Sequence, residues 1–342
     1  MTLISIMPLF EEPPPLSGRP STELSKPKVP YISRYIFNAR SHEVPAPTRV
    51  LRDCCINSEG DKKEREYMSL VERCIKRPPL PGREGSDTIT LQVIQPLNAG
   101  DGHNSQVLMV QLLGSTSQFP FLKSTKLVAK IYDPLYFNDQ EGYLNPFLCM
   151  DKYYTHEANT YKVLSELQGQ SIPRYYGSYS LNLSVGSERM RVVRMILVEH
   201  IQGIVMSQAE PREFSQLIRK GIMKSTVDLE GRIFKKNILL ADLEPRNVMI
   251  VSPESDHPHV FFIDFGDALF NRTRDDHLAL QLNNFLDIYI SPLLRWKSIR
   301  DKEWPFSEWL DWHWDTWLEA QFADTAADIT PDMRQRWPDE NE

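Results

Sequence analysis

Apolar and polar side chains alternate along much of the middle of the chain with the two-residue period of half-buried strands. Residues 88–94 (Thr-Ile-Thr-Leu-Gln-Val-Ile) show this first, 106–112 form a second β run, and 127–132 form an apolar strand with Lys130 at its centre. The period then lengthens. Residues 151–167 read as an amphipathic helix on which Glu157, Tyr161 and Leu164 share one face at i, i+4, i+7 spacing. Residues 172–179 and 191–198 return to the strand pattern, while 211–220 and 223–236 read as helices. Val248-Met249-Ile250-Val251 and Val260-Phe261-Phe262-Ile263 predict a buried hairpin between turn residues. A helix-like run begins near Asp275, and Leu310, Trp314, Trp317 and Leu318 share a helical face that suits core packing or a partner surface. No internal repeat is present.

Composition divides this pattern into zones. Twelve of the 25 prolines fall in the first 81 positions, including Pro13-Pro14-Pro15. Residues 1–85 therefore read as a largely extended arm with one short helix near 62–75. Such an arm either lies partly on the domain or docks a protein partner. The main domain is expected over 86–325, and 326–342 is an acidic tail. At 342 residues the chain can form one large domain or two lobes with a cleft. Its net charge of -7 argues against nucleic acid or an anionic membrane as the main partner. No stretch is apolar enough for a membrane span, and no basic residue precedes the apolar run of residues 1–10, as a secretory signal would require. Cys54, Cys55, Cys74 and Cys149 lack Cys-x-x-Cys spacing and read as reduced thiols of a cytoplasmic, or else nuclear, protein.

Two groups of polar residues need a chemical explanation. A lysine within an apolar strand either points to solvent or is buried against an acid, and a glutamate on an apolar helix face is costly unless paired. Pairing Lys130 with Glu157 answers both. Pro245 favours a turn after Asp242, so the ends of the hairpin would bring Asp242, Asn247 and Asp264 together. Carboxylates held close repel unless a cation lies between them. Magnesium, a hard cation that shares its shell between one or two protein groups and substrate phosphates, would fit.

The run Asp242-Leu243-x-Pro245-x-Asn247 followed by Ile263-Asp264-Phe265-Gly266 resembles the catalytic loop and metal-binding motif of the protein kinase-like superfamily. Gly100-x-Gly102-x-x-Ser105 resembles its glycine-rich loop, with Ser105 in place of the third glycine; on its own this is also an ordinary hairpin loop. Glu199-His200-Ile201 resembles the hinge that binds adenine, with Val198 at the back of the pocket. The resemblance implies an α+β, bilobal fold: an N-lobe of about 86–200, a small antiparallel β-sheet with one helix, and a mainly helical C-lobe of about 201–325. It implies ATP and Mg2+ as cofactors. Lys130, held by Glu157, would orient the α and β phosphates, and the backbone of Gly100, Gly102 and Ser105 would cover them. Glu199 and Ile201 would meet adenine, Asn247 and Asp264 would hold magnesium, and Asp242 would accept the proton of a hydroxyl acceptor.

Departures from the pattern direct the reading further. Leu240-Ala241 stands where protein kinases commonly carry His-Arg, and Glu244 where a lysine is usual. Only a short link follows the metal motif and no Ala-Pro-Glu appears. These features look more like the aminoglycoside and choline phosphotransferase branch, or fungal kinase-like proteins, than like a peptide kinase. Transfer of the γ-phosphate of ATP to a small hydroxyl-bearing acceptor is therefore expected. A pseudokinase serving as a binding or scaffold protein and a Ser/Thr protein kinase are the alternatives. Asp267 could support the metal site or cap a turn.

Overall fold

A computed structural model describes residues 26–50, 54–115, 125–138, 142–185, 189–255, 258–270, 290–297 and 304–336. The Pro13–Pro15 run, the segment beginning near Asp275 and Trp337 with the end of the tail lie outside these residues.

The first strand, β1 (Ile36–Glu43), comes from the segment that proline density marks as an arm. Pro30 and Pro45 bracket it without entering it, and Phe37 and Ala39 alternate inward. Two short helices follow, α1 (Glu59–Tyr67) and α2 (Leu70–Lys76). Each starts at a capping box, Ser58 with Asp61 and Ser69 with Glu72, which satisfies orphan amides at both ends of the exchange. The chain then runs through β2 (Arg83–Asn98), β3 (Gln106–Ser115), β4 (Lys126–Tyr132), α3 (Pro146–Val163), β5 (Tyr175–Ser184) and β6 (Met190–Glu199).

The six strands close into an antiparallel barrel in the order β1-β2-β3-β4-β6-β5. This overturns the expected fold, a bilobal protein kinase-like arrangement with a small antiparallel β-sheet and one helix in its N-lobe: the sheet is a closed barrel of six strands. Closure comes from β1: it pairs with β2 along its length and with β5 through Arg40 opposite Ser180 and Ser41 opposite Tyr179. An edge left unpaired on β2 and β5 is thereby covered. The architecture is mixed α+β, a closed barrel with a helical layer against it.

The pleat of β4 divides two cores. Leu127, Ala129 and Ile131 point into the barrel with Leu91, Val110 and Leu197, while Val128, Lys130 and Tyr132 face α3 and the second core. That second core contains α4 (Gln216–Lys235) and five short strands. β8 (Ile238–Leu240) pairs with β11 (Ala268–Phe270), and β9 (Val248–Val251) pairs with β10 (His259–Phe262) in the expected hairpin. β7 (Ile204–Val205), which follows the crossing from the barrel, adds to β9. The last elements are α5 (Pro292–Arg295), α6 (Trp314–Gln321) and α7 (Pro331–Arg336). Trp296, Trp309 and Trp314 are buried, so the tryptophan-rich region is largely core.

Candidate functional site

Two β pairings bring the acidic motifs together. Leu240 opposite Ala268 sets Asp242, just beyond β8, beside Asp267, just before β11. Phe262 opposite Val248 sets Asn247 beside Ile263, whose amide donates to the Asn247 carbonyl at 3.1 Å. Asp242, Asn247, Asp264 and Asp267 therefore line one small cleft, closed on its apolar side by Leu240 and Phe262.

The Lys130 Nζ lies 2.6 Å from Glu157 and 2.7 Å from Asp264. Burial alone would lower the lysine pKa, but the Asp264 and Glu157 carboxylates outweigh it and raise it. Burial raises Glu157 to about 7 against the pull of Lys130, while Lys130 and the Gly266 amide hold the partly exposed Asp264 low. The Tyr132 hydroxyl also donates to Glu157, at 2.7 Å. α3 delivers Glu157 to this point: Asn145 caps its first amides, Pro146 occupies its first turn, and Glu157, Tyr161 and Leu164 are all buried. Phe265 meets Tyr161 edge-on at 5.2 Å, which anchors the Asp264 turn to the same helix.

Asp242 is held from two sides. The Asn247 side-chain amide donates to its backbone carbonyl at 2.7 Å and to Oδ2 at 3.0 Å, and Arg246 donates to Oδ1 at 2.5 Å while also pairing with Glu244. With its Nδ2 committed, Asn247 offers Oδ1 to a cation. Among the described residues no group of three or more His, Cys, Asp or Glu is placed to hold a metal. The oxygens of Asp264 and Asn247 do suit magnesium, which would complete its shell with phosphate and water oxygens.

The other predicted residues are arranged less simply. The loop before β3 has Gly100 at φ +152° and Gly102 at φ +86°, a conformation glycine permits. The Gly100 amide donates to the Gln106 side chain at 2.7 Å and the Gly102 amide to the Tyr136 carbonyl at 3.0 Å, so both are engaged within the chain. Ser105 directly precedes β3, whose Val107 lies opposite Lys130. Glu199 ends β6 opposite Leu127, its amide donating to the Arg174 carbonyl, and Ile201 lies in the crossing to β7.

Three contributors escape a reading of the sequence. Lys152 pairs with Asp267 at 2.6 Å, Arg246 grips Asp242, and Tyr132 supports Glu157. The only sequence trace of these is that Tyr132 and Lys130 share a strand face. The arm is also tied to the site: His156 on α3 contacts both the Thr48 carbonyl, at 2.8 Å, and the Ala268 carbonyl. No helix among the described residues is long and apolar enough to cross a membrane. Neither a protein-family model nor a curated protein matches this chain.

Proposed function

We propose that this protein is an ATP- and Mg2+-dependent phosphotransferase acting on a hydroxyl group of a small molecule. The observation that carries the reading is the buried Lys130, joined at once to Glu157 and Asp264. A lysine buried at this cost, next to an aspartate with free oxygen capacity, suits a site that must bind phosphate and cation together. The acidic motifs also resemble those of protein kinase-like phosphotransferases, as noted for Asp242 to Asn247 and Ile263 to Gly266.

In this reading Lys130 binds phosphate oxygens and Glu157 keeps it charged and oriented. Asp264 and Asn247 hold magnesium, which neutralises charge on the transferred group. Asp242, fixed by Asn247 and Arg246, orients the acceptor hydroxyl and takes its proton. Leu240 and Phe262 supply the apolar part of the cleft wall.

Equilibrium binding of ATP in the presence of magnesium tests the proposal. Binding should be saturable in the intact protein and weakened by Asp264→Asn; unchanged affinity in that variant counts against it. A second reading, a nucleotide-binding protein with little turnover, is favoured by the internal bonds of the Gly100 and Gly102 amides. ATP consumption with candidate acceptors, abolished by Asp242→Ala, separates the two.

A further inference from the structure

β1 and β5, the two strands that close the barrel, share only the pairs Arg40 with Ser180 and Ser41 with Tyr179. At this end of the seam lies a cavity of about 320 Å³. Its walls include His42, Glu43, Asp87, Tyr176, Ser178 and Tyr179. Glycines shape its edges: Gly85 lets β2 approach Ser41 of β1 so closely that a Cβ would stand 2.2 Å from the hydroxyl, and Gly177 takes φ +113°.

The charges in this cavity do not cancel. Glu43 is met by Arg83 at 2.5 Å on the exposed rim, whereas Asp87 has no ion-pair partner among the described residues. Asp87 and Tyr179 line the same cavity, and after burial the Asp87 charge is the cause that raises the Tyr179 phenol, to about 12. Tyr179 spends its hydroxyl on the Tyr176 carbonyl at 2.9 Å, which leaves its ring as wall. His42 is 5% exposed, and its Nδ1 meets the Tyr154 hydroxyl at 2.6 Å. Its Nε2 is buried without a hydrogen-bond partner. Burial and Arg194 hold this imidazole neutral, near pKa 4, so it adds no positive charge to the wall.

We propose that the seam cavity binds a small organic cation, an alkylammonium or guanidinium group, between the Asp87 carboxylate and the tyrosine walls. The carboxylate supplies the counter-charge and the rings supply apolar contact with a cation–π component. The same head group is carried by a free amine or by a basic side chain. The site is separate from the phosphotransfer reading and does not depend on it.

Calorimetric titration of the full chain with agmatine, with acetyl-lysine N-methylamide and with neutral 1-pentanol tests this. Saturable binding of either cation, absent for pentanol and weakened as salt rises from about 0.05 to 0.5 M, is the expected result. Stronger binding of agmatine would point to a free amine, and stronger binding of the acetylated lysine to a basic side chain. Asp87→Asn should weaken the cation by about tenfold or more, and Tyr176→Leu should weaken it by a smaller factor with the charge intact. Melting temperature and far-ultraviolet circular dichroism of each variant report whether it is folded. No saturable binding up to about 10 mM, or equal affinity in folded Asp87→Asn, overturns the proposal.

Discussion

The ammonium of Lys130 on a barrel strand lies 2.7 Å from the carboxylate of Asp264, 134 residues further along the chain. With Glu157 at 2.6 Å it forms a three-charge cluster at the boundary between barrel and helical layer. Two carboxylates then depend on one cation.

Removing that cation should be costly in a way that depends on pH. Lys130→Met leaves Glu157 buried with no countercharge, for which about 3–5 kcal/mol of destabilisation is expected at pH 8. The cost should shrink toward pH 5, because Glu157 becomes neutral and no longer needs the lysine. Urea unfolding at the two pH values measures both. An undiminished stability at pH 8 would rule out the cluster as described.

Glu157→Gln isolates the carboxyl itself. The folded protein holds the Glu157 pKa at about 7, above the ordinary value of 4.5. Between those values the folded state therefore binds more protons than the unfolded one, and this group's contribution to stability falls as pH rises. The stability difference between native protein and Glu157→Gln should drift against the native protein from pH 4.5 to 7 and level off above. A flat difference across that window would show that Glu157 titrates normally.

Which of these features could be read in advance follows from their range along the chain. Lys130, Glu157 and Asp264 stood out because each is a charged residue set in a strongly apolar local pattern, and burial is the physical cause of both the pattern and the pairing. The hairpin of β9 and β10 was legible for the same reason, since its partners are near neighbours in sequence. β1 was hidden: its alternation spans only eight residues between prolines, and its role in closing the barrel depends on pairing with β5, about 140 positions away. The pairing of β8 with β11 uses three-residue strands, too short for any periodicity. Lys152 and Arg246 resembled ordinary exposed cations until their partners, Asp267 and Asp242, were brought to them. The glycines before β3 announced a turn but not where their amides would point.

Asp242 should separate binding from turnover. Its carboxylate touches Asn247 and Arg246 and has no contact with Lys130 among the described hydrogen bonds. Asp242→Ala is expected to keep nucleotide affinity within a few fold and to lower turnover by about 10²–10⁴-fold, the usual worth of a positioned proton acceptor. Parallel ATP binding and consumption assays make the comparison. Loss of both together would mean that Asp242 holds the site's shape instead of handling a proton.

The crossing from barrel to helical layer has little tolerance at Gly203. A Cβ there would lie 2.5 Å from the backbone oxygen of Ile250, the residue that pairs with Ile204. Backbone cannot swing aside as a side-chain tip can, so Gly203→Ala must push β7 off β9 or bend the hairpin that carries Asn247. Overpacking of this kind costs about 1–3 kcal/mol. Because Asn247 immediately precedes β9, part of the strain should reach the cleft and weaken Mg-nucleotide binding as well. Thermal unfolding and nucleotide titration of Gly203→Ala, with Gly221→Ala as a control whose Cβ meets nothing within 4 Å, give the test. Equal melting temperatures for the two variants would show that β7 does not pack on the hairpin as closely as Gly203 and Ile250 indicate.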